Sequence, residues 1–172
     1  EGLGAYLGGS PASVPVRSLA DVIAFDDAHV GAEMRWFRQE LFEQAAMATD
    51  AAAYTKAHDD NLRLAGPEGI DKLLAVNKVS LLIAPTVGPA WTTDLVNGDH
   101  YNGSIGATSL AAIAGYPHLT VPMGAVEGLP VGLSFIGAQW QDRILLLAGA
   151  AYERARTAKL PTPSLKPWAV TP

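Results

Sequence analysis

The chain has 172 residues, 49% hydrophobic and 17% charged, with a formal net charge of -5 and no cysteine. That length and balance suit one globular domain rather than a disordered chain, and the cysteine count excludes disulfides and thiolate metal sites. With 12 Lys and Arg against 17 Asp and Glu and no basic stripe, a nucleic-acid partner is not expected; no apolar run reaches membrane-spanning length and no signal-peptide pattern opens the chain, so neither a membrane partner nor an oxidising compartment is indicated and a cytoplasmic location is expected.

The opening EGLGAYLGGSPASVPVRSL is rich in Gly, Pro and Ser and reads as a frayed helix end and a loop, with a loop-rich opening over residues 1–16. Ser18 is placed to cap a short helix in SLADVIAFDDAH. From Glu33 to Met47 the pattern is helical, with Met34, Phe37, Leu41 and Ala45 on one face. Thr49 or Asp50 caps a second helix, in which Tyr54, Ala57, Asn61 or Leu62, and Ala65 share a face. Gly66 and Pro67 punctuate. Pro67 and Glu68 then suit the first turn of a third helix carrying Ile70, Leu73, Leu74 and Asn77.

Val79 to Ala84 is a short continuous apolar run, the pattern of a buried strand, and Pro85 is expected to end it. Residues 87–103 form a long polar and aromatic loop, of a length that is usually functional or mobile. Ser104 is placed to cap a helix carrying Ile105, Leu110, Ile113 and Ala114, which Gly115 and Pro117 stop. Leu119 and Val121 alternate with polar neighbours in a second strand, followed by the turn EGLP. Val131, Leu133 and Phe135 line a third strand, closed by Gly137. Asp142 caps a last helix with Ile144, Leu145, Ala148, Ala151, Tyr152 and Ala155, and residues 161–172 are a Pro-rich tail expected to lie extended. The fold class is α/β: four to five helices and three or so strands. A strand such as Val79 to Ala84 needs cover on both faces and neighbours at its edges. Part of the sheet is therefore expected to lie outside this chain, and an unpaired edge would favour a homodimer.

The residues offer little that could act as a catalytic set. Ser10, in GGSPAS, is followed at once by Pro11 and has no His, Lys or Asp nearby in sequence, so a helix end and loop is the plainer reading. GLSFIG places Ile136 where a nucleophile elbow needs its second glycine, and reads as a strand. His29, His58, His100 and His118 form no two-histidine helix motif. HDD reads as a solvated helix face. GDHY, in the long loop, matches no metal-ligand spacing, and His118 reads as a positioned loop or strand-end residue rather than a base. The lysines Lys56, Lys72, Lys78, Lys159 and Lys166 read as surface side chains. No metal or cofactor is expected, and no serine is seen with an adjacent base.

Four ordered segments carry a resemblance: PVRSLADVIAFDDAH; NLRLAGPEGIDKLLA with LLIAPTVGPAW; GATSLAAIAGYPHLTVPMG; and LPVGLSFIGAQWQDRILLLAGAAYER. From Arg17 onward the chain resembles the carboxyl-terminal part of amidase signature family hydrolases, and within them the peptide amidase and general amidase branch. The resemblance implies a single α/β domain, of which residues 1–172 are the carboxyl-terminal segment, built around a large mixed sheet covered by helices. It implies amide hydrolysis by a Ser nucleophile, a bridging Ser with a cis peptide bond and a Lys base. That set belongs to the amino-terminal part of the family's chain, so the catalytic residues are expected upstream of Glu1. The implied partners are the amino-terminal part of the same enzyme and a small-molecule or peptide amide. Thr86, Trp91, Thr108 and Ser109 are the candidate substrate-binding residues: the segments that follow strand ends are where α/β folds place ligands, Pro85 to Trp91 and Pro122 to Gly124 are read as such segments, and Thr108 and Ser109 sit near the start of a helix that resembles the family's segment lining the substrate channel. The glutamine-using branch has an Asp at the position of Ile105 and an Asn at that of Ala112, so a tRNA-linked amidotransferase is disfavoured. The competing expectation is a free-standing, non-catalytic α/β binding or structural module.

Overall fold

The computed structural model describes residues 2–101 and 105–160. The chain divides into two compact units, one of Glu1–Tyr54 with Asp94–Gly98, the other of Thr55–Thr93 with Asp99–Pro172. Ser104 and the tail at 161–172, with Lys166, lie outside the described residues.

In the first unit, α1 (Gly2–Gly8) ends in carbonyls that have no partner within the helix. Arg17 supplies one: its Nη1 donates to Leu7 O at 2.8 Å and Ser10 O at 2.9 Å, and its Nη2 to Pro11 O at 2.7 Å. GGSPAS is thus a helix end held by a guanidinium. Ser18 caps α2 (Leu19–Ala28) as expected, its Oγ accepting from Asp21 N at 3.1 Å. The helix expected from Glu33 to Met47 is instead broken between α3 (Val30–Glu33) and α4 (Glu40–Met47). The residue buried at the restart is polar. Gln39 is 6% exposed, and its Nε2 donates to Asp27 Oδ1 at 2.8 Å and Ile23 O at 3.3 Å on α2. Phe37 and Leu41, expected to face a core, are 68% and 74% exposed. Asp50 caps α5 (Ala51–Ala65), with Ala53 N donating to its Oδ1 at 2.9 Å.

In the second unit α5 does not stop at Gly66 and Pro67. It widens into a π-helical segment, Gly66–Asp71, and continues as α6 (Lys72–Asn77). The wider turn takes in a proline that cannot donate a ladder bond, and a glycine makes it fit: a Cβ on Gly69 would stand 2.5 Å from the Leu64 carbonyl oxygen. Lys78, in the left-handed region at φ 53°, ends α6, and Val79 N donates back to Leu74 O at 3.1 Å. That closing bond takes Val79 into the helix end, so β1 is Leu82–Pro85 rather than Val79 to Ala84. Pro85 belongs to the strand, paired with Leu133. Among the described residues β1 has a strand neighbour on one side only, so the missing proline donor leaves the β1–β3 ladder in place.

β2 (His118–Val126) and β3 (Leu129–Ile136) form a hairpin whose two turn residues, Glu127 and Gly128, both have positive φ, 48° and 81°, the tight turn that matches strand twist. The order is β1-β3-β2 with both pairings antiparallel. Pro122 to Gly124 therefore does not follow a strand. It lies inside β2, where a bulge between Pro122 and Gly124 shifts the register and lets the strand run on.

The two faces of the sheet bury different clusters. Ile136 packs with Ile70, Leu74 and Ala111, the last from α7 (Ser109–Ala114). Val121 and Phe135, on the other face, pack with Leu145 of α8 (Asp142–Ala155). α8 lies so close to β2 that a Cβ on Gly149 would stand 2.5 Å from Leu119 Cδ2. α7 starts later than expected, at Ser109. It ends at Gly115, φ 69°, with Tyr116 N donating to Ala111 O at 3.0 Å.

Ile70 is 0% exposed, so Ile70→Ala should cost roughly 2–5 kcal/mol, the range for a buried aliphatic truncated to a cavity. Leu73→Ala, at a position 46% exposed on the same helix, should cost well under half as much; urea unfolding of the pair checks the contrast.

Candidate active-site wall

Thr86 follows β1 and is fixed by its backbone on both sides. Its N–H donates to Gly132 O at 2.8 Å, and its carbonyl accepts from Ala107 N at 3.0 Å. With the isolated bridge between Val87 and Gly106, these bonds draw together the base of the long loop. The Thr86 side chain points onto the sheet face that also carries His118, Thr120 and Ser134. Ser134 Oγ donates to Thr86 Oγ1 at 2.8 Å, Thr86 Oγ1 stands 3.2 Å from Thr120 Oγ1, and His118 Nε2 stands 2.6 Å from Ser134 Oγ.

This corrects the expectation that no serine has a basic residue beside it. His118 and Ser134 meet because the hairpin register sets Thr120 opposite Ser134 and His118 opposite Ile136, which puts His118 one diagonal step from Ser134. The pair is not arranged as a nucleophile. Ser134 is 0% exposed, and its proton is spent on Thr86. Gly132 makes the cluster sterically feasible: a Cβ there would stand 2.6 Å from Thr120 Cγ2 and 2.8 Å from Thr86 Oγ1. The sequence signal for this contact was a lone glycine inside a strand, which marks a close approach.

The other candidates occupy separate places. Trp91 packs against Tyr101, with ring centroids 4.5 Å apart and planes at 39°, and both rings are about half exposed, at 44% and 49%. Tyr101 was read from sequence only as the aromatic of GDHY, and not as a partner of Trp91. Thr108 is the residue before α7 and makes no side-chain cap bond. Ser109 lines a groove of about 390 Å³ with Leu110, Ala107, and Leu82 to Ala84 of β1. Among the described residues, the four predicted side chains do not share a hydrogen-bonded cluster; Thr86 is joined to the segment leading into α7 through the backbone of Ala107.

Two further contacts hold the stretch from Ala114 to Gly124 in place. Tyr116 Oη donates to Asp71 Oδ2 at 2.6 Å, and its ring lies against Gly66, where a Cβ would meet the phenol oxygen at 3.2 Å. At the bulge, Arg156 Nη1 donates to Pro122 O at 2.6 Å. The hydrogen bond to Asp71, then partial burial and the charge of the same carboxylate, push the Tyr116 phenol up to about 12.

The Amidase family profile matches residues 11–146. A probable amidase of Arabidopsis thaliana is 32% identical over 149 residues, covering 86% of this chain and 26% of its own length. The crystal structure of native peptide amidase from Stenotrophomonas maltophilia superposes with a TM-score of 0.78 at 44% identity, over 93% of this chain and 32% of that one. A glutamyl-tRNA(Gln) amidotransferase component of Pseudomonas fluorescens is 34% identical over 86 residues, covering 48% of this chain and 18% of its own length. The chain thus spans about a third or less of the length of these proteins.

The Tyr116 contact has a consequence at high pH. A phenol whose folded pKa is raised contributes stability that is intact below the unfolded value of 10.0 and lost as pH rises toward about 12. Melting temperature should therefore fall between those values, and Tyr116→Phe should make that part of the fall shallower while lowering the melting temperature at neutral pH.

Proposed function

We propose, because this chain belongs to the amidase family, that it is the carboxyl-terminal segment of a single amidase domain in a serine-dependent enzyme that hydrolyses a carboxylic amide to an acid and ammonia or an amine. The observation that carries this reading is the match of 93% of the chain, at 44% identity, to one third of a peptide amidase. The substrate proposed is a small-molecule or peptide amide. The activated serine, its bridging serine and the lysine base come from the amino-terminal part of the same enzyme, as the family resemblance implies. The serine oxygen bonds to the amide carbon, the C–N bond breaks as the amine leaves with a proton, and water then releases the acid. This chain supplies scaffold and one wall of the substrate pocket: Thr86 beyond β1, Trp91 in the long loop, and Thr108 and Ser109 at the start of α7. Among the described residues neither outer edge of the sheet has a strand partner. In this reading the rest of the enzyme occupies those edges, and a second copy of the chain is the alternative occupant. A cytoplasmic setting fits the absence of cysteine.

The purified 172-residue chain should show no amide hydrolysis above background. Ser134→Ala and Ser10→Ala serve as controls. Turnover that survives removal of contaminating amidases, and disappears in either variant, would place a nucleophile in this chain and sink the division of labour proposed.

In the full-length enzyme, Trp91→Ala and Ser109→Ala should raise KM or change substrate preference across acyl groups, with kcat within about twofold, because wall contacts are made equally in ground and transition states. A lower melting temperature with an unchanged kcat/KM series would assign both residues to the scaffold.

A further inference from the structure

The cluster of His118, Ser134, Thr86 and Thr120 has a direction. A serine hydroxyl has one proton, and Ser134 gives its proton to Thr86 Oγ1 at 2.8 Å. The 2.6 Å contact from His118 Nε2 to Ser134 Oγ must then be an N–H donated by the ring. Thr86 accepts from Ser134, which leaves its own proton to give. The next acceptor in the row is Thr120 Oγ1 at 3.2 Å, long for a hydroxyl pair, which prefers about 2.7–2.8 Å. That proton is thus weakly held. Thr120 is exposed and Thr86 half-buried, so the proton sits at the open end of the row. The closed end is the fully buried Ser134.

A row of hydroxyls can run in either direction. Were Ser134 to give its proton to the ring instead, Thr86 would turn its own proton inward onto Ser134 and offer a ligand only lone pairs. The ring N–H at position 118 removes that choice. We propose that His118 is a positioning residue, acting through Ser134 to present the Thr86 hydroxyl as a hydrogen-bond donor to a carbonyl oxygen of the substrate, such as the acyl-side backbone carbonyl of a peptide amide. The proposal rests on the reading of Thr86 as part of the pocket wall. It goes further in naming the group recognised and the two residues that set the polarity of the contact. His118 touches no reacting atom. Gly132 belongs to the same device, since the space a Cβ would fill is where Thr86 and Thr120 meet.

The test uses the full-length enzyme and N-acetylated peptide amides. His118→Phe removes the donor, His118→Gln keeps an N–H at similar reach, and Ser134→Ala cuts the row. His118→Phe and Ser134→Ala should each raise KM by about tenfold, the size of one lost hydrogen bond to substrate, with kcat within about twofold. His118→Gln should stay near wild type, and the double variant should be no worse than Ser134→Ala alone. If His118→Gln is as damaging as His118→Phe, or if both lower the melting temperature and leave KM unchanged, the positioning role is overturned. Nitrogen NMR of His118 in the unmodified enzyme gives a readout independent of turnover: Nε2 should carry a proton, and an unprotonated Nε2 overturns the proposal even in a fully active enzyme. A full-length protein that hydrolyses no amide would overturn the proposed function, and the ring-nitrogen spectrum would still decide the direction of the row.

Discussion

β3 is hydrogen-bonded along both edges, to β1 on one side and β2 on the other, and the rest of the second unit is arranged about that double pairing. Side chains alternate across a strand, so the register of β3 decides what each face receives. Phe135 goes to the face covered by α8 and Ile136 to the face covered by the π segment and α7. Ser134 shares its face with Ile136 but lies one pleat along, where the neighbours are hydroxyls and an imidazole. A one-residue slip would exchange the two faces and bury Ser134 among apolar side chains with its partners on the other side. The tight Glu127–Gly128 turn and the bulge at Pro122 guard against that slip.

Elements specified by neighbours in sequence were legible before the structure. The hairpin turn, the stop at Gly115, the Ser18 cap and the face of Ile70 and Leu74 all follow from short-range stereochemistry or a helical period. Gly66-Pro67 misled because a dipeptide that ends an α-helix is accommodated by a wider turn, and that turn exists to bring Ile70 onto the sheet. Val79 misled because its apolar side chain says strand while its N–H closes the preceding helix. The Glu33 to Met47 pattern misled because the contact that sets the backbone there is a buried glutamine, Gln39, which no hydrophobic period reports.

The candidate site was less legible than the fold. Thr86 and Trp91 can be picked out because they follow a strand end, and Thr108 and Ser109 by the resemblance of their segment to the family, but what the Thr86 side chain touches is a matter of cross-strand pairing. His118 and Ser134 are 16 residues apart and Ser134 and Thr86 are 48 apart; no local pattern joins them. Gly132, a glycine inside a strand, carries a signal of close approach that the sequence reading did not use. The GGSPAS stretch is the converse case. It looks like chemistry, and the Arg17 guanidinium shows it to be a helix terminus whose carbonyls needed a donor.

Those two separations also order the assembly of the hydroxyl row in time. A two-residue turn closes the hairpin over a short span, and hairpins form in roughly 1–10 μs. The entropy of closing a loop grows with its length, so β1 joins later, after the long loop and α7 that lie between it and the hairpin have been gathered in. The contact between His118 and Ser134 is thus made early and Thr86 docks onto a serine already engaged. β1, the last of these three strands to arrive, finds the polarity of its partner set in advance.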